Sequence, residues 1–211
     1  SDDTTSYSTF NAGPTCTLPV LVGHSSISSF PMLKLMKWGL IPSFSKTGVM
    51  ENNTFNARSE TLQSKPIFSR LLKRQRCVVL MDGFYEWKKN GSCKQPYFIS
   101  SQSDILPVAG LFDCWKGPEG PVYSFTILTT QSGEELSWLH ERMPIILDTE
   151  DKIEAWICSD VAQLNLSEFS RFKTDSKPLC ITKVSSLVNS VKNNTKDCLR
   201  PVEEVQKEAI T

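Results

Sequence analysis

The sequence predicts an α+β fold with a mostly antiparallel sheet, and three observations lead there. Segments with the β-branched, aromatic composition of strands outnumber segments with helical spacing. The two kinds do not alternate strand, helix, strand, as a parallel sheet demands. No internal repeat and no linker rich in Pro, Gly or Ser divides the 211 residues, a length that suits one sizeable core. Residues 1–9 therefore read as a flexible lead-in and residues 10–211 as one domain.

In chain order, Ser1 to Ser8 is polar and aperiodic. Leu18 to Val22 is a short strand, with Pro19 suiting its start or a sheet edge. Met32 to Trp38 is a second strand. Residues 59–73 read as helical, with Ser59 as N-cap, a basic end at Arg70, Lys73 and Arg74, and Pro66 splitting the run. Arg76 to Met81 and Phe84 to Trp87 flank Asp82-Gly83, a dipeptide that signals a hairpin turn. A polar turn follows from Lys88 to Lys94. Pro96 to Ser100, Ile105 to Trp115 and Tyr123 to Thr130 are strands. Gly133 to His140 is a short helix before Pro144, and Ile145 to Leu147 is a brief apolar run. Thr149 to Cys158 and Ser159 to Phe172 read as helices, Ile181 to Val188 as a last strand, and Leu199 to Glu208 as a tail.

Composition excludes several classes. Apolar content of 39% and charged content of 22% suit a globular domain. Acidic and basic residues balance at 23 each, so an anion-binding surface has to be local. No run approaches the roughly 18 apolar residues of a membrane span, and Ser1 to Ser8 lacks the apolar stretch of a signal peptide. Seven cysteines without C-x-x-C spacing argue against zinc or redox motifs and for a reducing, intracellular compartment. No metal or organic cofactor is indicated.

Three short segments carry the chemistry. In Phe84-Tyr85-Glu86-Trp87 an extended chain puts Phe84 and Glu86 on one face and Tyr85 and Trp87 on the other. An acid among aromatics loses solvation and holds its proton closer to neutral pH, as a proton donor must; the plainer reading has Glu86 pointing into water. In Asn56-Ala57-Arg58-Ser59-Glu60, Asn56 and Arg58 share a face, one a donor and acceptor, the other a fork for phosphate or carboxylate. Alternatively, Arg58 and Glu60 form a structural ion pair. In His140-Glu141-Arg142-Met143-Pro144, a histidine stands at a helix end beside a Pro turn, where it is either structural or catalytic. The other histidine, His24, lies in a Ser-rich loop and is assigned nothing. Positive charge gathers at Lys65, Arg70, Lys73, Arg74, Arg76, Lys88 and Lys89, a pattern that a solvated face also produces.

Taken together, Lys37-Trp38-Gly39-Leu40-Ile41-Pro42-Ser43, Asn56-Ala57-Arg58-Ser59-Glu60-Thr61, the stretch from Cys77 to Trp87 and His140-Glu141-Arg142-Met143-Pro144 resemble the SRAP (SOS response-associated peptidase) family, in its eukaryotic, abasic-site processing form. The resemblance runs from about Phe10 to the end. It implies a curved sheet or barrel flanked by helices, a monomer, and single-stranded DNA containing abasic sites as partner, with replication-fork proteins beside it. It implies an intracellular place, nuclear in a eukaryote and cytoplasmic in a bacterium. It also implies a thiazolidine DNA–protein crosslink through an N-terminal cysteine, with N-terminal self-cleavage and crosslink reversal. On matching positions, Asn56, Glu86 and His140 are expected to be catalytic. Arg58 and Arg142 are expected to hold phosphates, and Trp38, Pro42 and Phe44 to splay the strand. The nucleophile matches none of the seven cysteines here, so the N-terminal segment is expected to be missing and the sequence as written is not expected to crosslink. A non-catalytic single-stranded DNA-binding module and a peptidase acting on other proteins stay open as alternatives.

Overall fold

Side-chain alternation along the strands sorts the apolar residues into layers. The computed structural model describes residues 8–23, 31–50, 53–102, 105–158, 165–169 and 178–202. Most of the expected lead-in, His24, much of the helix expected after Ser159 and the tail beyond Val202 lie outside the described residues.

Among the described residues, ten strands form two sheets. The larger runs in the order β2 (Met32–Trp38), β1 (Thr17–Val22), β4 (Arg76–Met81), β7 (Leu106–Gly117) and β8 (Gly120–Gln131), antiparallel at each step. β8 then pairs in parallel with the end of β2, Lys37 with Ser124 and Trp38 with Phe125, which closes a five-stranded barrel. Further along β8, β3 (Asn56–Arg58) pairs in parallel on one edge and β9 (Arg142–Pro144) antiparallel on the other. The smaller sheet is β10 (Leu179–Lys183), β6 (Cys93–Ser101) and β5 (Gly83–Asn90), with β6 central and β5 and β10 at its edges.

Cys77, Val79, Val108, Phe112, Phe125 and Ile127 face one apolar layer, against which Phe84, Tyr97, Ile99 and Ile181 of the smaller sheet pack. Their neighbours Val78, Ala109, Leu111 and Leu128 face the opposite layer, covered by α1 (Pro66–Ser69), α3 (Glu150–Cys158) and α4 (Leu166–Phe169). Tyr85, Trp87 and Phe98 make a third, small cluster with Val184, Val188 and Cys198.

Three expectations need correction. The last strand is β10, which ends at Lys183, and a 3-10 turn over Ser186–Asn189 replaces the expected run to Val188. Asp82-Gly83 is not a hairpin turn. β4 stays in the barrel, and the chain crosses at this dipeptide to become β5 of the other sheet. Gly83 is extended rather than left-handed. Its role is close approach, since a Cβ there would overlap the Ile99 carbonyl oxygen and the Phe98 ring. The hairpin lies instead at Gly91-Ser92, between paired Asn90 and Cys93, where Gly91 has φ +59°. The run from residue 59 to 73 is a 3-10 turn, α1 and a second 3-10 turn, with Pro66 opening α1. Ser59 is its first residue, not its cap; Arg58 holds the cap position.

Candidate functional site

The site is built where β5 passes the segment between α2 (Glu134–Ser137) and β9. Leu136 and Leu139 are buried anchors, and the His140 N–H donates to the Leu136 carbonyl at 3.0 Å, which fixes His140 at the helix end. The His140 Nδ1 lies 3.1 Å from the Arg142 N–H and 3.7 Å from the Glu86 Oε2. Glu86 occupies the barrel-facing side of β5, level with Tyr97 of β6, whose ring meets Trp138 edge-on at 5.3 Å. Burial pushes the Glu86 carboxyl above the usual carboxylate range. The Trp87 N–H, which donates to Oε1 at 3.1 Å, and the His140 charge oppose that shift in smaller measure. A carboxyl whose affinity for its proton is raised by burial, with an imidazole 3.7 Å away, is an arrangement able to pass protons.

This pair opens into a cleft of about 490 Å³ lined by Glu86, Trp87, Lys89, Lys94, His140 and Asn189. Because β5 is an edge strand, the cleft can take lining residues from both of its faces. The Trp87 indole N–H donates to the Asn189 Oδ1 at 2.6 Å, which fixes the ring. Sequence reading assigned no role to Trp87, Lys94 or Asn189. Asn189 is 102 residues from Trp87, and although the stretch from Val188 to Asn194 resembles the family, nothing in it points to Trp87. The loop carrying Asn189 is itself tied down: the Asn11 amide donates to the carbonyls of Val188, Ser190 and Asn193, and Asn194 Oδ1 accepts from the N–H groups of Phe10 and Asn11.

The remaining expected residues divide. Asn56 and Arg58 are exposed on one face of β3, on either side of buried Ala57, with no ion pair among the described residues. Arg142 is engaged: its guanidinium donates to both Glu60 oxygens, at 2.8 and 3.0 Å, and to the Thr129 carbonyl at 2.7 Å. The structural ion pair at Glu60 therefore goes to Arg142 rather than Arg58. The hydrogen bond from Arg142 holds the Glu60 carboxyl below its ordinary range, though burial works the other way. The engagement also joins the turn after β3 to β9 and so to His140. Trp38 is half-buried, its indole N–H donating to the Phe55 carbonyl at 2.9 Å and its ring edge-on to Phe55. Pro42 is buried and offers no face, because the loop after β2 packs down onto the barrel. Phe44 is 65% exposed, beneath the Arg70 guanidinium. Its loop is anchored by buried Asp113, which accepts from the Ser43 N–H, Arg70 and Gln75. Cys77 is buried, and desolvation raises its thiol out of nucleophilic reach. Among the described residues, no cluster of His, Cys, Asp and Glu is placed to hold a metal ion, and no helix is long and apolar enough to cross a membrane.

Comparison with known proteins bears on this arrangement. Residues 1–191 match the model of the SOS response associated peptidase (SRAP) family. The chain is 39% identical to the abasic site processing protein HMCES of Gallus gallus, across 92% of this chain and 66% of that protein. It is 34% identical to the abasic site processing protein YoqW of Bacillus subtilis, across 92% of this chain and 86% of that protein. The chain thus spans about two thirds of the Gallus gallus relative. The fold is shared with the crystal structure of a protein from Bacteroides thetaiotaomicron, with a TM-score of 0.73 at 25% identity, covering 89% of this chain and 82% of that one.

Proposed function

The chain belongs to the SRAP family, and on that premise we propose that it binds single-stranded DNA at abasic sites, where Glu86 and His140 handle the protons of covalent attachment to the sugar. The single observation that carries this reading is the Glu86–His140 pair, 3.7 Å apart in a cleft with lysines on its wall. The names of the relatives supply the substrate class.

A ring-opened abasic sugar presents an aldehyde. An amine attacks its carbon, the carbonyl oxygen takes up a proton, and loss of water leaves an imine. A neighbouring thiol then adds across the C=N bond, sulfur to carbon and proton to nitrogen, and closes a thiazolidine. The leaving hydroxyl has to be protonated, and a carboxyl whose affinity for its proton burial raises suits that task. In this reading Glu86 is the acid, and His140 relays protons and meets the sugar oxygen. Asn56 orients the amine, and Arg58 holds a flanking phosphate. Arg142, engaged with Glu60, places His140 and reaches a phosphate only by leaving Glu60. Phe44 presents the exposed ring for the splayed strand, with Trp38 and Pro42 packing the wall behind it. The aminothiol is that of an N-terminal cysteine, as the family resemblance implies. Crosslink reversal would use the same proton pair in the opposite sense, while self-cleavage, hydrolysis of the peptide bond before that cysteine, would use it to activate water and protonate the leaving amine. The protein works as an intracellular monomer beside the replication fork. Among the described residues, no serine or cysteine lines the cleft to favour a peptidase acting on other proteins.

The test is a denaturing gel of protein mixed with single-stranded DNA bearing one abasic site, comparing this chain with a form that begins at such a cysteine. An adduct only with the second form is expected. No adduct with either form, together with equal affinity for intact and abasic strands, overturns the proposal.

A further inference from the structure

We propose that Lys89 and Lys94 form a phosphate clamp on the wall of the Glu86 cleft, taking the phosphodiester backbone of the strand that enters it. The inference rests on the reading that this cleft receives DNA, and it assigns a contact that the family motifs do not include.

The two lysines are direct register partners across the β5–β6 ladder. Residues opposed in an antiparallel pair project from the same face with Cβ atoms about 4.5–5.5 Å apart, and like charges so placed destabilise the hairpin. Both side chains are exposed, and neither has an ion-pair partner among the described residues. The hairpin therefore carries two adjacent, uncompensated ammonium groups close to its turn. The third cation of this hairpin is differently placed. Lys88 projects from the opposite face, with its ammonium 4.6 Å from the centre of the Trp138 ring, so it already has a π-face to rest on. Lys89 and Lys94 share their face with Trp87, whose ring Asn189 holds, and all four line the cleft.

A phosphodiester fits this pair. It presents two non-bridging oxygens and one negative charge, and each ammonium brings up to three donors on a flexible stem. Binding would relieve the repulsion that the free hairpin bears. Contacts of this kind set the register of a strand and read no base, which suits a site whose target lacks one.

Changing both lysines to glutamine tests the clamp. The readout is affinity for fluorescent single-stranded DNA with one abasic site, measured against salt concentration. On a single strand each neutralised phosphate contributes about 0.7 to the slope of log K against log salt. The K89Q/K94Q protein should lose about 0.7–1.4 of slope and bind several-fold to tenfold more weakly at low salt. Its melting temperature without DNA should equal or exceed that of the unmodified protein, because the repulsion is gone. The control is K116Q/K196Q, which removes two exposed cations that do not line the cleft; it should leave the slope unchanged. An unmodified slope in K89Q/K94Q overturns the clamp, while continued preference for the abasic strand leaves the functional reading standing. An equal loss in the control reduces the effect to net charge and likewise overturns it. If the unmodified protein binds no single-stranded DNA, the functional reading and the clamp fall together.

Discussion

Arg142 and Arg58 make opposite predictions although the same role was expected of both. Changing Arg142 to alanine removes two charge-assisted hydrogen bonds to Glu60 and one to the Thr129 carbonyl. Glu60 is half exposed, its side chain at 49%, so solvent screening limits that ion pair to about 1 kcal/mol. The bond to Thr129 lies deeper and, as a bond from a charged donor, is worth about 1.5 kcal/mol or slightly more. The sum is about 2–3 kcal/mol. For a chain of this size each kcal/mol moves the melting temperature about 2–4 °C, so Arg142→Ala should melt about 4–12 °C lower.

The pH dependence of that gap follows from Glu60. Its folded carboxyl titrates below its unfolded value, so the stability it contributes is present above the unfolded pKa of about 4.3 and is lost as pH falls through the folded one. Scanning calorimetry should therefore show the gap narrowing below about pH 4, without closing, because the Thr129 bond does not titrate. Arg58→Ala should melt like the unmodified protein, since Arg58 is exposed with no ion pair among the described residues, yet lose about 0.7 of the salt slope of DNA binding. If Arg142→Ala instead melted within about 1 °C of the unmodified protein while losing that slope, the engagement with Glu60 would be incidental and the reasoning refuted.

Three further outcomes are expected. Glu86→Gln, in a form able to crosslink, should slow adduct formation about a hundredfold with DNA affinity unchanged, and an unaltered rate removes Glu86 from the chemistry. Because burial raises the folded pKa of Glu86, its charged form costs stability once pH rises through that value, so Glu86→Gln should melt higher at neutral pH and lose this advantage in acid. Gly83→Ala should cost about 1–3 kcal/mol by overpacking against Ile99 and Phe98, and a neutral result in urea denaturation would deny the close approach. Asn11→Ala strips the donors from three loop carbonyls and should cost about 2 kcal/mol; unchanged protease resistance around residues 186–194 would contradict the tie.

What the sequence made legible was local. The period-2 alternation of Cys77-Val78-Val79 and Phe84-Tyr85-Glu86-Trp87 survives intact, because a strand buried on both faces still sends successive side chains to opposite layers. The exposure of Asn56 and Arg58 beside buried Ala57 follows from the same rule. Glu86 was readable as a desolvated acid only in part, since Phe84 shares its face by the same rule, whereas Tyr97 across the ladder and His140 lie far off in sequence.

The turn from Lys88 to Lys94 was legible too, but the stronger signal at Asp82-Gly83 was not used as a turn, and the reason is physical. Asp82-Gly83 and Asn90-Gly91 offer the same local chemistry, a residue tolerant of φ > 0 and a glycine. Only the second makes a hairpin, since β5 and β6 are complementary across it whereas β4 finds its partners in β1 and β7. A dipeptide permits a conformation; the pairing energy of the flanking strands decides whether it is used. At Gly83 the glycine was needed for a different reason, contact with Ile99 and Phe98, which no window around residue 83 contains. Glu60 with Arg142, Trp87 with Asn189 and Asn11 with Asn193 are choices of the same kind, settled by closure of the barrel and the packing of the smaller sheet upon it. The site follows suit. Its acid was visible in the sequence, while its wall, contributed by Lys94 across a ladder and Asn189 from a distant loop, existed only once those pairings were made.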